Sequence, residues 1–285
     1  MDKVLRECMY VVNPTPNTVN GQRKVDKGEM IYESAAVQHQ NFYIAVQMKL
    51  FQDKITCTII DGDPNHPDNV FPEDTGVHFI GIDPQTKEYI YIWVCASLAH
   101  PTRKGEENIF EKHATATLQH LKCFTLEKGT LEGGDIIVAD SCIYAGKSAR
   151  TNDDGIDSLE KISTHYGIPV VRIDVPDDVL HLKGIGSFHH GNGTTIQPFV
   201  MVSERIADQF QNAGHHHLVI TSQSEDSFFG ANAISHENRI LIHQGANIEP
   251  QLLVLGMDVH VIDLSEFRKI DGAMSCLWKY LSYTE

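Results

Sequence analysis

Asp271-Gly272-Ala273-Met274-Ser275-Cys276, followed by Leu277-Trp278, is the stretch on which the reading of this chain turns. A core cysteine ordinarily sits inside an apolar run. Here an Asp-Gly turn signal leads in and small residues flank the thiol. The pattern describes a tight loop that delivers one thiol to the head of a helix or short strand. Cys276 is therefore read as a nucleophile. Its base, the acid that orients the base, and the groups that hold a substrate are sought elsewhere in the chain.

Composition narrows the class. The chain has 285 residues, 41% hydrophobic and 21% charged, which is an ordinary globular balance with enough length for a sizeable core. A formal net charge of −15 argues against nucleic-acid partners and anionic membranes, and gives a cationic substrate a favourable field. Cys8, Cys57, Cys95, Cys123, Cys142 and Cys276 form no CxxC pair and no regular framework, so free thiols in a reducing compartment are expected. The start, Met1-Asp2-Lys3-Val4-Leu5-Arg6, has no apolar signal region, and no run approaches the ~18 apolar residues of a membrane span. A cytoplasmic address is expected. Nothing in the composition marks a boundary, so residues 1–285 are read as one domain.

Periodicity supplies the elements. A strand at 9–12 leads to a polar loop over 13–27, long enough to serve as a lid. Val37, Tyr43, Ile44, Met48 and Phe51 recur at helical spacing and suggest an amphipathic helix within 30–51. Strands follow at 56–60, 77–82 and 88–95, then a helix at 106–121. A hairpin at 136–139 and 142–145, a helix at 157–166 and a strand at 170–174 come next. Beyond lie a strand at 195–202, a helix at 203–213 with Ser203 as its N-cap, a strand at 218–221, a hairpin at 231–234 and 239–242, and a strand at 259–262. Strand pair, helix, strand recurs about five times. This is a set of ββαβ-like modules, not the regular alternation of a doubly wound sheet.

The chemistry-bearing residues lie between these elements. Asp68, Glu73 and Asp74 fall within seven residues of a loop dense in turn formers. Read locally they are a solvated acidic loop; read as a site they pair with a guanidinium. Arg103, in the polar loop before the 106–121 helix, reads by position as an exposed charge or as a carboxylate clamp. In Leu131-Glu132-Gly133-Gly134-Asp135 the two glycines point to a backbone approached closely by something else, or to a bulge with its acids in solvent. Arg150 follows a strand, and Lys147-Ser148 after the lone Gly146 lacks the glycine spacing of a phosphate loop. His181 stands in an apolar strand pattern, where a lone histidine is a core residue unless Cys276 and Glu132 converge on it. His189-His190 and His215-His216-His217 read as surface or loop features, because neighbours on a strand face opposite ways and a metal needs converging ligands.

Taken together, Leu131–Asp135, Arg150-Thr151-Asn152, Leu180-His181-Leu182-Lys183 and Asp271–Cys276 have an order and spacing that resemble the dimethylarginine dimethylaminohydrolase (dimethylargininase) family of the guanidine-modifying pentein superfamily. Pro67–Asp74, Pro101–Glu106 and Gln38–Tyr43 extend the resemblance over nearly the whole chain. It implies an α/β fold, a five-bladed α/β propeller (pentein) of ββαβ modules with its active site in the central channel. It implies Cys276 as nucleophile, His181 as general acid and base, and Glu132 as the carboxylate that orients His181. Asp68, with Glu73 and Asp74, would line the substrate site. Arg103 and Arg150 would clamp an α-carboxylate, and Asp271 with the carbonyl of Ile270 would complete the pocket. The implied partner is a small-molecule guanidino amino acid, with no metal and no cofactor. The implied reaction takes an N-methylated arginine to citrulline through a covalent thiouronium on Cys276. Arginine deiminases and amidinotransferases, usually longer chains, share this chemistry. A propeller that only binds a partner through its channel face would show a decayed catalytic set, and the set is intact here. Residues 13–27 and 184–194 depart from the family pattern.

Overall fold

A computed structural model describes residues 4–24, 26–215 and 217–284. The ββαβ repeat occurs five times around a ring. The first module holds β1 (Leu5–Val12), α1 (Tyr32–Ala45) and β2 (Thr56–Ile60). The second holds β3 (Gly76–Ile82), β4 (Tyr89–Cys95), α2 (Glu106–Leu118) and β5 (Lys122–Thr125). The third holds β6 (Ile136–Val138), β7 (Ile143–Lys147), α3 (Asp153–His165) and β8 (Val170–Asp174). In the fourth are β9 (Gly186–His189), β10 (Phe199–Ser203), α4 (Ala207–Asn212) and β11 (Leu218–Thr221). In the fifth are β12 (Ile234–His236), β13 (Arg239–His243), α5 (Glu249–Val254) and β14 (Asp258–Ile262), followed by α6 (Ser265–Arg268). The last strand, β15 (Lys279–Thr284), returns to the first module and pairs antiparallel with β1, Leu5 opposite Thr284 and Tyr10 opposite Lys279. Each sheet thus has three strands, the middle one antiparallel to the inner strand and parallel to the outer.

The middle strands β10 and β13 are buried along their whole length, and both have an unbroken apolar centre, Phe199–Val202 and Ile240–Ile242. Apolar packing gathers in five clusters, and each joins one module to the next. The cluster of Ile137, Tyr144 and Ile173 with Leu182, Val200 and Phe210, for example, joins the third and fourth modules. The inner strands β3, β6, β9, β12 and β15 together line one channel of about 780 Å³. No helix among the described residues is long and apolar enough to cross a membrane.

Some elements differ from the sequence reading for local reasons. α1 buries Ala35, Gln38, His39 and Phe42, whereas Val37, Ile44 and Met48 face solvent. Gln38 is drawn inward by hydrogen bonds: it donates to Asp263 and Ser265 and accepts from the Glu266 N–H. α3 begins at Asp153 because Asn152 caps it, accepting from the Gly155 N–H at 2.9 Å. Ser203 caps no helix. It ends β10, paired with Thr221, and α4 starts at Ala207. β5, β9, α5 and β15 have no counterpart in the sequence reading, and His181 lies outside any strand.

Candidate active site

Four inner strands are entered through a short 3-10 turn: Pro72–Thr75 before β3, Gly133–Asp135 before β6, Leu182–Gly184 before β9 and Met274–Leu277 before β15. Asp74 and Cys276 lie within their turns and Glu132 and His181 cap theirs, so four modules each bring one such residue to the entry of an inner strand. Asn232 fills the fifth, before β12. It donates to Ser275 Oγ and the Lys183 carbonyl, each at 2.7 Å, and so ties the Cys276 turn to the His181 turn.

His181 Nε2 lies 2.9 Å from Glu132 Oε2, and its Nδ1 lies 3.9 Å from Asp74 Oδ1. Glu132 is fully buried and its other oxygen accepts from the Ala99 N–H, which fixes the carboxylate. Asp135, also fully buried, accepts from the Leu182 N–H at 2.9 Å and from the Ser148 hydroxyl at 2.7 Å. Burial disfavours the imidazolium, but Asp74, Asp135 and Glu132 overcome it and lift His181 to about 9. Burial, reinforced by Asp74 and Glu73, pushes the Cys276 thiol up to about 12. The ligand-free site therefore pairs an imidazolium with a neutral thiol at pH 7.

The two glycines of the Glu132 motif are needed for space. A Cβ on Gly134 would stand 2.6 Å from Asp74 Oδ1 and 2.7 Å from His181 Nδ1, and one on Gly133 would stand 2.0 Å from the Glu73 carbonyl oxygen. The close approach read from these glycines is thus made by Asp74 and His181 at Gly134 and by the Glu73 backbone at Gly133. The Gly134 N–H also donates to Asp74 Oδ1 at 3.0 Å.

Cys276 and His181 share a cavity of about 10 Å³ with Asp68, Asp74, Arg103, Arg150 and Ile270. Asp271, at φ 55°, borders it as well as a neighbouring cavity of about 260 Å³. One oxygen of Asp68 accepts from the Gln22 N–H at 2.9 Å; the other is buried with no hydrogen-bond partner among the described residues. Burial raises the pKa of this carboxyl, against the pull of Arg103. An orphaned carboxylate oxygen in a closed cavity is a place for a cationic group.

Two expected site residues are placed differently. Arg103 is 3% exposed, so it is no surface charge. It donates to Glu106 Oε2 from Nε at 2.9 Å and Nη2 at 2.7 Å and to Asp74 Oδ2 from Nη1 at 2.7 Å, with Glu132 3.5 Å away. Its guanidinium is committed to the site's own acids. Glu73 turns into the central channel, paired with Lys183 and, at 3.1 Å, with Lys279. Gln22, Glu106 and Asp135 belong to the site without having been assigned to it. Glu106 carries a readable signal, its i,i+3 spacing from Arg103, and Asp135 lies inside the Glu132 motif. The histidine groups separate. His189 is fully buried between Ser187 and Ser235, a core residue and not a surface one, while His190 faces Asp140 at the exposed side. His216 lies outside the described residues. Among these, Asp74, Glu132 and His181 form the one acid and histidine group that converges within 4.8 Å.

A family model described as "N,N dimethylarginine dimethylhydrolase, eukaryotic" matches residues 9–185. The N(G),N(G)-dimethylarginine dimethylaminohydrolase of Pseudomonas aeruginosa is 30% identical over 275 residues, covering 93% of this chain and 95% of that protein. The protein of the same name from Streptomyces coelicolor is 27% identical over 226 residues, 76% of either chain. Among solved structures, the Pseudomonas aeruginosa enzyme complexed with citrulline matches with a TM-score of 0.79 at 24% identity, covering 96% of this chain and 98% of that one. The N-terminal domain of ArgZ, a cyanobacterial arginine dihydrolase, matches with a TM-score of 0.78 at 17% identity, covering 96% and 97%. The shared architecture is the five-bladed α/β propeller. With a family model over more than half of its length and a relative of 30% identity over nearly all of it, this chain belongs to the dimethylarginine dimethylaminohydrolase family.

Proposed function

We propose that this protein hydrolyses an N-methylated arginine to citrulline and methylamine or dimethylamine, with Cys276 as the nucleophile. The observation that carries the reading is His181, charged and held between Glu132 and Asp74, in the same closed cavity as the Cys276 thiol and an orphaned Asp68 oxygen.

The roles follow from the placements. Asp74, beside both His181 and Cys276, holds the substrate guanidinium. Asp68 takes the α-ammonium on its free oxygen, and Arg150 takes the α-carboxylate. Arg103, expected as a second clamp, serves better as the counter-charge that keeps Asp74, Glu106 and Glu132 together. Asp271 and the Ile270 carbonyl close the pocket wall. A bound guanidinium next to Cys276 favours the thiolate and draws the thiol down from about 12. The thiol proton leaves to solvent water, sulfur bonds to the guanidinium carbon, and the bond to the methylated nitrogen breaks. His181 gives its proton to that nitrogen, which departs as the neutral amine. Neutral His181 then takes a proton from water, and the hydroxide attacks the thiouronium carbon. Collapse breaks the C–S bond, leaving the citrulline ureido group and restoring the sulfur. Glu132 holds the ring and stabilises the imidazolium throughout.

The five intermodular clusters support reading residues 1–285 as one domain, and six cysteines that form no disulfide suit a reducing cytoplasm. Citrulline release from asymmetric dimethylarginine, monomethylarginine and arginine, assayed in parallel, tests the reading. Turnover of the methylated forms above arginine is expected; turnover of arginine alone would move the chain to deiminase chemistry.

A further inference from the structure

Gln22, in the segment over the site, occupies the place assigned above to the amino-acid head group. Its carboxamide oxygen accepts from Arg150 Nη2, and its backbone N–H donates to Asp68 Oδ1 at 2.9 Å. An α-amino acid presents the same two polarities to the same two residues, a carboxylate oxygen to Arg150 and an ammonium N–H to Asp68. The carboxamide nitrogen is anchored in turn, donating to Thr102 Oγ1 at 2.6 Å and meeting His100 Nδ1. Further along, the Lys24 N–H and the Lys27 ammonium both donate to Asp271, so the segment is fastened across the pocket mouth. With Gln22 in place the cavity beside Cys276 keeps about 10 Å³, room for roughly one water. A substrate cannot enter until this side chain has left.

We infer that Gln22 is an internal competitor for the head-group subsite, and that it sets the enzyme's affinity and preference for substrates bearing an α-carboxylate. The inference rests on the proposed function, because there Arg150 and Asp68 are the head-group ligands. The physical basis is an exchange of acceptors. A carboxylate bonds a guanidinium more strongly than a neutral amide oxygen does, so a substrate with an α-carboxylate gains by displacing Gln22. A decarboxylated guanidine must break the same contact and offers Arg150 nothing in return. The side chain thereby discriminates against the second class by opposing it, as much as Arg150 does by attracting the first.

Three variants test this. Gln22→Ala and Gln22→Leu remove the competitor and should lower KM for methylated arginine by about three- to tenfold, the reduction expected when one neutral–charged hydrogen bond no longer has to be broken. Gln22→Glu, which places a charged acceptor on Arg150, should raise KM by at least as much. A decarboxylated methylguanidine, inert towards the wild-type enzyme, should be bound measurably by Gln22→Ala. In the ligand-free protein, trypsin should cut after Arg23, Lys24 and Lys27 faster in Gln22→Ala than in the wild type, because the fastening at Arg150 is gone. A higher KM in Gln22→Ala would overturn the inference by making Gln22 a substrate contact. If the wild type turns over no guanidino amino acid, the function proposed above fails separately. The tryptic rate then still decides the latch: an unchanged rate in Gln22→Ala overturns it.

Discussion

His181 is subject to two opposed influences, and their balance is a measurable property. Burial alone would strip its proton, yet three carboxylates lift it to about 9 from the ordinary 6.5. In the proposed mechanism its charge protonates the departing amine, so activity should fall as pH rises through about 9, which a pH profile of kcat/KM, the parameter that reports the free enzyme, would show. The stability consequence has a definite sign. A pKa raised on folding contributes stability that is complete below about 6.5 and is lost as pH climbs through about 9. Urea midpoints should therefore decline over that window in the wild type and decline less in His181→Gln. At Arg150 the expectation falls on binding. Replacing it by Ala removes a charged hydrogen bond of about 1.5–3 kcal/mol to the substrate, so KM should rise roughly ten- to a hundredfold with a smaller change in kcat. A normal KM would show that the head group is held elsewhere.

Among the elements, the 3-10 turns before the inner strands carry most of the site. Three of the motifs legible in the sequence are such turns: Glu132-Gly133-Gly134-Asp135, His181-Leu182-Lys183-Gly184 and Asp271–Cys276 are contiguous, so their chemistry and their turn signals are written side by side. What was not legible depends on partners far away in the chain. Arg103 reads as exposed until Asp74, 29 residues earlier, is brought beside it. Glu73 reads as a substrate ligand until Lys279, 206 residues later, turns it into the channel. Gln22 looks like any polar loop residue, and its meaning comes from Arg150, 128 positions on. The helical face of α1 misled for a related reason. Gln38 is polar by type but its amide is satisfied by Asp263 and Ser265, so it is buried while Val37 is not. The turn preceding β6 offers a test at this scale. Gly134→Ala forces a methyl against Asp74 and His181, both within 2.7 Å of its Cβ. It should cost about 1–3 kcal/mol by overpacking and abolish most turnover by displacing the imidazole, which denaturation curves and kcat would show together.

The whole molecule is held by closure. No module owns a core; each shares one cluster with either neighbour, and the ring is completed only when β15 pairs with β1. The repeat was legible in the sequence because the middle strands have apolar centres with helices between them. The closure was not, because β15 lies beside its partner only after the other modules have been laid down. Leu281 in β15 is fully buried in the cluster of Tyr10, Trp93 and Phe110, so Leu281→Ala should cost about 2–5 kcal/mol in urea denaturation. The same ring brings four turns from four modules together, and on the mechanism proposed above that convergence is what Cys276 needs to act as a nucleophile instead of a core thiol. The most direct measurement is acid quench of the enzyme during turnover of asymmetric dimethylarginine, with peptide mass mapping beside a Cys276→Ser control. A transient thiouronium adduct on the Cys276 peptide is expected, with no citrulline from the serine variant. Citrulline formed at an undiminished rate by Cys276→Ser would contradict the account.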